Sequence, residues 1–168
     1  KRLHNALIRI QELSRSCEPL NQSDVRSLHQ LILEGDRTAG EFRAVPVQIS
    51  GAIHTPPTNL MEVQTQMMGF GDWSIMNKDL PAPIRAAVLH TWLVHIHPFL
   101  DGNGRTARAV ANLELIKGGF PPVIIRKTDR ERYYQSLAES DQGNLLPFLD
   151  FFIEKVTDAL NYLEKKAT

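Results

Sequence analysis

Cysteine is almost missing from this chain. Cys17 is the only one among 168 residues, so no intrachain disulfide can form, and the lone thiol reads as a reduced, cytoplasmic side chain rather than a redox site. An excess of either charge is missing too. Nineteen Lys and Arg face nineteen Asp and Glu. That balance gives no sign of a nucleic-acid partner or a membrane surface, both of which usually draw a basic excess. No apolar run approaches the length of a membrane span, and no signal peptide opens the chain. Internal repeats and low-complexity tracts are absent. What is there is ordinary for a globular protein: 42% hydrophobic and 23% charged residues, on a length suited to a single domain, residues 1–168, with a sizeable core. The chain opens on Lys1 rather than Met, which leads to the expectation of a piece cut from a longer protein, with upstream residues missing.

The periodicity is mostly helical. Leu3, Leu7, Ile10 and Leu13 form a first stripe. Ser23 or Asp24 can cap a second helix that turns Val25, Leu28, Leu31 and Ile32 inward and ends at Gly35. The pattern then changes: "EFRAVPVQISGAIHTPP" alternates at Val45, Val47 and Ile49 before glycine and two prolines, which predicts a short strand pair, or flap. Thr58 can start a third helix through Met61 and Met68. Pro81 and Pro83 precede a fourth, "IRAAVLHTWLVHI", apolar nearly all round and therefore central. "RTARAVANLELIKGG" is a fifth, stopped by Gly118 and Gly119. A capping box from Thr128 to Glu131 opens the next. The last runs from about Asn144 to Lys165, with Pro147 tolerated in its first turn. The fold predicted is all-α, about seven helices with a small β-hairpin.

The densest chemistry lies in "HPFLDGNGRTAR", His97 to Arg108. Gly102 and Gly104 let the backbone turn and approach a ligand with no Cβ in the way. The loop then enters a helix, whose first N–H groups and dipole favour an anion. Arg105 and Arg108, three apart, share a face above that cradle and suit a polyphosphate. Asp101 is out of place beside so much positive charge unless a Mg²⁺ ion lies between it and the phosphates. His97 is the only nearby side chain able to take a proton near neutral pH. Pro98 biases His97 toward an extended backbone, and Phe99 anchors the loop in the core. Each of these elements alone is ordinary; folding does not require them together in this order.

The stretch resembles the signature of the Fic family, HPFx[DE]GNGRxxR, at every defined position. "GEFR", the flap with "HTPP", "GGFPPVII" and "RYYQSL" extend the resemblance from about Leu28 to Phe152. It implies a Fic-type fold and an enzyme that transfers AMP from ATP, with Mg²⁺, to a hydroxyl of a target protein. It implies that His97 deprotonates the hydroxyl, Asp101 ligates Mg²⁺, and Gly102, Asn103 and Gly104 cradle phosphate, with Asn103 supplying its amide as well. Arg105 and Arg108 hold the polyphosphate, Tyr133 and Tyr134 lie near the adenine, and the flap residues Val45, Val47, Gln48 and Ile49 dock the target as an added strand. Kinase-like relatives of the Doc type carry lysine at the second glycine; Gly104 argues for AMP transfer. Two departures stand out. Pro46 removes a donor from the flap, and Asp141 falls where many relatives place an asparagine near the ribose.

The family's inhibitory helix, [ST]xxxE[GN]N, implies a glutamate that pairs with Arg108. Ser14 to Glu18 has the spacing, but Pro19 and Leu20 follow it. The element is therefore expected in cis upstream of Lys1, or in trans from an antitoxin. Two alternatives to AMP transfer follow: removal of AMP by the full-length protein, and a nucleotide-binding toxin or regulatory module controlled by a partner. An intact His97 argues against the second, because binding alone needs no base.

Overall fold

The computed structural model describes residues 10, 12–16, 18–49, 51–52 and 54–167. Among them six α-helices follow in chain order: α1 (Gln22–Ile32), α2 (Leu60–Met76), α3 (Ala82–Ile96), α4 (Asn103–Lys117), α5 (Arg130–Asp141) and α6 (Leu146–Ala167). A 3-10 turn, Lys127–Asp129, leads into α5. Residues 12–15 are helical as well, so the all-α architecture with about seven helices is as the sequence predicts. Leu3, Leu7 and Cys17 lie outside the described residues, whereas Leu13, the last of the first stripe, is buried.

Helix α3 is apolar on nearly every side because it is covered on nearly every side, packing against α2, α4, α5 and α6. Leu89, Leu93 and Ile96 enter one core with Val25 and Leu28 of α1 and Met67 and Phe70 of α2. Ala86 and Ala87 enter a second with Leu137 of α5 and Phe148, Phe151 and Phe152 of α6. Helix α4 divides in the same way, with Val110 and Leu113 on one side and Ala111 and Leu115 on the other. Each large aliphatic or aromatic side chain removed from water contributes about 1.5–3 kcal/mol. The α3–α4 pair is thus wedged between two apolar layers, and the loop joining them is fixed at both ends. Gly118 lets α4 finish against the start of α3, since a Cβ there would lie 2.2 Å from Ala82 Cβ.

The helix starts differ from the sequence prediction. Asn21 caps α1, in place of Ser23 or Asp24: its Oδ1 accepts from the N–H groups of Ser23 and Asp24, and the Asp24 carboxylate accepts from Asn21 N–H. Asn59 caps α2 by accepting from Glu62 N–H at 3.0 Å, while Thr58 stays outside, bonded to the Glu62 carboxylate. Met61 and Met68 turn to solvent. The box from Thr128 to Glu131 does not form. Asp129 takes Arg126 N–H at 2.8 Å and also meets Lys155, which favours the tighter 3-10 turn.

The hairpin is the larger correction. No strand is present among the described residues. Val45 lies in a bend and Val47, Gln48 and Ile49 have no regular structure; Pro46 lacks a donor, and Pro56 and Pro57 interrupt the return arm. The segment is pinned at its base, where Arg43 N–H donates to Pro98 O at 2.9 Å. No helix among the described residues is long and apolar enough to cross a membrane.

Candidate active site

His97 leaves α3 in a left-handed conformation, φ 50° and ψ 58°, the only non-glycine among the described residues with positive φ. This corrects the extended backbone expected ahead of Pro98: the proline disfavours the right-handed α region, and the chain turns left instead. For a residue with a Cβ that conformation costs about 1–2 kcal/mol, so something must hold it. Arg43, 2% exposed, does so. Its Nε donates to His97 O at 2.6 Å, and its two Nη groups donate to Val45 O at 2.8 Å and Ile96 O at 3.2 Å. A buried cation thereby satisfies carbonyls that the end of α3 leaves unpaired, where the helix dipole also favours it.

The His97 ring is oriented by its own helix. Nδ1 lies 3.2 Å from Val94 O. A carbonyl can only accept, so Nδ1 carries the proton and Nε2 keeps a free lone pair. Burial pushes the His97 pKa below its ordinary 6.5; the Val94 bond opposes this, and Arg43 and His54 add to it. At neutral pH the ring is an uncharged base.

The loop is tied down from beneath. Phe99 is buried and stacks on His29, ring centroids 3.6 Å apart and planes 4° apart. His29 Nδ1 accepts from Gly40 N–H at 2.8 Å, so its Nε2 carries the proton and donates to Asp101 O at 2.9 Å. Burial lowers its pKa, which keeps it neutral. Asn103, 2% exposed, accepts from Phe99 N–H at 2.9 Å and donates to Phe99 O at 2.8 Å. One hydrogen and one lone pair of its amide are therefore used inside the loop. Gly102 has φ 78°, and a Cβ there would lie 3.2 Å from His29 Nε2 and 3.3 Å from Leu33. Both strain and space require glycine at that position.

Around this frame the charges are set. Asp101 is exposed; it accepts from Gly102 N–H at 2.6 Å and from an Arg105 Nη at 2.9 Å. The Gly102 bond first, and Arg105 after it, hold the carboxyl below the usual carboxylate range. Arg108 is half-buried, and its charge acts on Tyr133, whose hydroxyl lies 3.2 Å from His90 Nε2. Tyr133 is buried and its pKa is pushed up to about 12, chiefly by burial. His90 is fully buried and pushed down to about 3, by burial first and the Arg108 charge second.

An open cleft of about 290 Å³ gathers His97, the run from Asp101 to Arg105, Arg108 and Tyr134, with Leu100 at its rim. Of the two tyrosines only Tyr134, 53% exposed, reaches it; Tyr133 faces the core. The flap residues Val47, Gln48 and Ile49 line a separate hollow of about 550 Å³ with His54. Three residues of consequence escaped the sequence: Arg43, His29 and His90. The signal for His29 was its place beside Leu28 on the inward stripe of α1. Arg43, between Phe42 and the alternating segment, gave no comparable sign.

The Fic/DOC family model matches residues 19–115. The chain is 40% identical over 144 residues to the protein adenylyltransferase Fic of Nematostella vectensis, covering 83% of this chain and 33% of that one. Among solved structures, a Fic-domain-containing signalling protein from Bacteroides thetaiotaomicron superposes with a TM-score of 0.81 at 25% identity, over 95% of this chain and 69% of that one. A Fic-1 fragment from C. elegans superposes with a TM-score of 0.79 at 30% identity, over 99% of this chain and 51% of that one. The chain spans about a third of the length of the Nematostella relative.

Proposed function

The chain belongs to the Fic/DOC family, and from that premise we propose that it is a protein adenylyltransferase, moving AMP from ATP to a hydroxyl side chain of a target protein and releasing pyrophosphate. The observation that carries this reading is the neutral His97 ring, its Nδ1 proton held by Val94 O, beside a helix start flanked by two arginines. The target oxygen attacks the α-phosphorus, its proton passes to His97 Nε2, and the bond to the pyrophosphate oxygen breaks. Charge on the phosphates is met by the first N–H groups of α4 and by Arg105 and Arg108.

Asp101 fits the implied metal: its oxygens are exposed at the mouth of the cleft and held ionised. It would hold Mg²⁺, which when bound spreads the charge of the polyphosphate. Tyr134 offers an exposed ring on which adenine can stack. The flap presents main-chain groups to a target strand; Val45 O is already taken by Arg43 and Ile49 O by Ala52 N–H, so pairing falls to Val47, Gln48 and the N–H of Ile49. Gly104 supports transfer of AMP, since kinase-like relatives of the Doc type carry lysine at that position. A glutamate brought to Arg108 by an inhibitory helix, in cis or from an antitoxin, would compete with phosphate for the same cation.

The test is label transfer with ATP carrying the label on either the α- or the γ-phosphate, scored on the chain itself and on added proteins. Transfer of α-label alone, lost in His97→Ala, is the expected result. Transfer of γ-label would make the chain a kinase, and no transfer of either label would leave a binding module.

A further inference from the structure

Outside the cleft, three side chains from three segments come together. His54 follows the flap, His95 lies in the last turn of α3, and Asp141 ends α5. Each offers a ligand atom, and those atoms all lie within 4.8 Å of one another. The imidazole rings of His54 and His95 stack, with centroids 3.7 Å apart and planes 24° apart. Their protons are accounted for. His54 Nε2 is 2.9 Å from His95 O; a carbonyl only accepts, so Nε2 carries the proton and Nδ1 keeps its lone pair. His95 Nδ1 donates to Asp141 Oδ1 at 2.9 Å, so a single proton lies between an imidazole nitrogen and a carboxylate oxygen.

We propose that His54, His95 and Asp141 form a binding site for a divalent transition-metal ion of the zinc type, joining the flap to the ends of α3 and α5. Two imidazoles and a carboxylate are a common zinc ligand set that leaves a fourth position to water. Imidazole nitrogen suits zinc, cobalt, nickel and copper, whereas Mg²⁺ takes oxygen ligands. The site is thus chemically distinct from Asp101. Ligand atoms around a four-coordinate ion stand roughly 3.3 Å apart, given metal–ligand bonds of roughly 2.0–2.1 Å. Closing the gap from 4.8 Å requires the half-buried side chains to rotate, turning the two imidazoles out of their stack so that their lone pairs converge on the ion. Binding replaces the hydrogen bond between His95 and Asp141: the imidazole proton moves from Nδ1 to Nε2, and the freed Nδ1 and the carboxylate turn to the ion. The ion would tie down a segment that has no sheet partner, holding it through His95, two residues before His97.

The proposal does not depend on AMP transfer, and its test reads metal alone. The full chain, stripped with a chelator, is titrated with Co²⁺, whose visible absorption reports four-coordinate nitrogen and oxygen ligands. One equivalent is expected to give these bands. Zn²⁺ is expected to displace it and millimolar Mg²⁺ is not. His54→Ala and His95→Ala should each weaken binding at least about tenfold, Asp141→Ala should do the same, and His97→Ala should leave the bands in place. His54 lies outside the helices, so its variant reports on the site even if His95→Ala unfolds. Absent bands, bands that survive in His54→Ala, or displacement by Mg²⁺ would each overturn the proposal.

Discussion

At the scale of single residues, the role proposed for His97 depends on its other nitrogen being occupied. The Val94 carbonyl fixes the tautomer and burial keeps the ring uncharged. A base must be unprotonated to act, so a pKa below 6.5 lets transfer persist into mildly acid solution. The acid limb of the rate profile is expected below pH 6.5, and a limb centred above it would contradict the burial argument. Replacing His97 by alanine removes the base, at a cost of about 10²–10⁴ in rate, while nucleotide affinity stays near that of the wild type. Asn103 also has a structural part within the signature loop. Both ends of its amide serve Phe99, so Asn103→Asp would set a carboxylate oxygen against the Phe99 carbonyl. Leaving such a buried group unpaired costs about 1–3 kcal/mol. The variant should melt lower in the absence of any nucleotide, which a purely ligand-contacting asparagine would not do.

At the scale of elements, the site is the turn between α3 and α4, and Arg43 is what shapes it. One guanidinium reaches the carbonyls of Val45, Ile96 and His97 at once. A lysine keeps the charge but lacks the planar fork. Arg43→Lys is therefore expected to fold, yet to let the His97 backbone relax from its left-handed turn. A misplaced base lowers kcat by roughly 10²-fold with KM for ATP little changed; a variant with unaltered kcat would show that Arg43 only supports the flap. None of this was legible in "GEFR", because the two partners of Arg43 at the end of α3 lie 53 and 54 positions away. The signature loop was legible because its chemistry is local: glycine, carboxylate and arginines act within one turn of each other. The central place of α3 was legible from its all-round apolarity. The helix caps and the hairpin were not, since Asn21, Asn59 and Asp129 competed with equally good neighbours, and alternation at Val45, Val47 and Ile49 says nothing of whether a partner strand exists.

At the scale of the whole molecule, the two apolar layers are joined through histidines that must stay uncharged. His29 lies beneath the loop, His97 ends α3, and His90 stacks on Phe148 with centroids 4.9 Å apart in the second core. Burial depresses the pKa of all three. An unfolded histidine takes up a proton near pH 6.5 and the folded one does not, so the unfolded state binds more protons as the solution is acidified. Stability is then fully present above pH 6.5 and declines below it. The carboxylates with lowered pKa begin from 3.8 or 4.5, which leaves the interval from pH 7 to pH 5 to the histidines. His90, depressed to about 3, is unprotonated throughout that interval when folded. It alone should account for about 2 kcal/mol of the loss between pH 7 and pH 5, at about 1.4 kcal/mol per pH unit. His90→Phe keeps a ring against Phe148 but has nothing to titrate. It also removes the partner of the Tyr133 hydroxyl, so its stability at pH 7 is lowered for a separate reason and the informative quantity is the slope. Urea unfolding of the wild type and of His90→Phe at pH 7 and pH 5 gives that slope directly. The variant should lose about 2 kcal/mol less than the wild type over the interval; parallel losses in the two proteins would mean that His90 is protonated inside the fold.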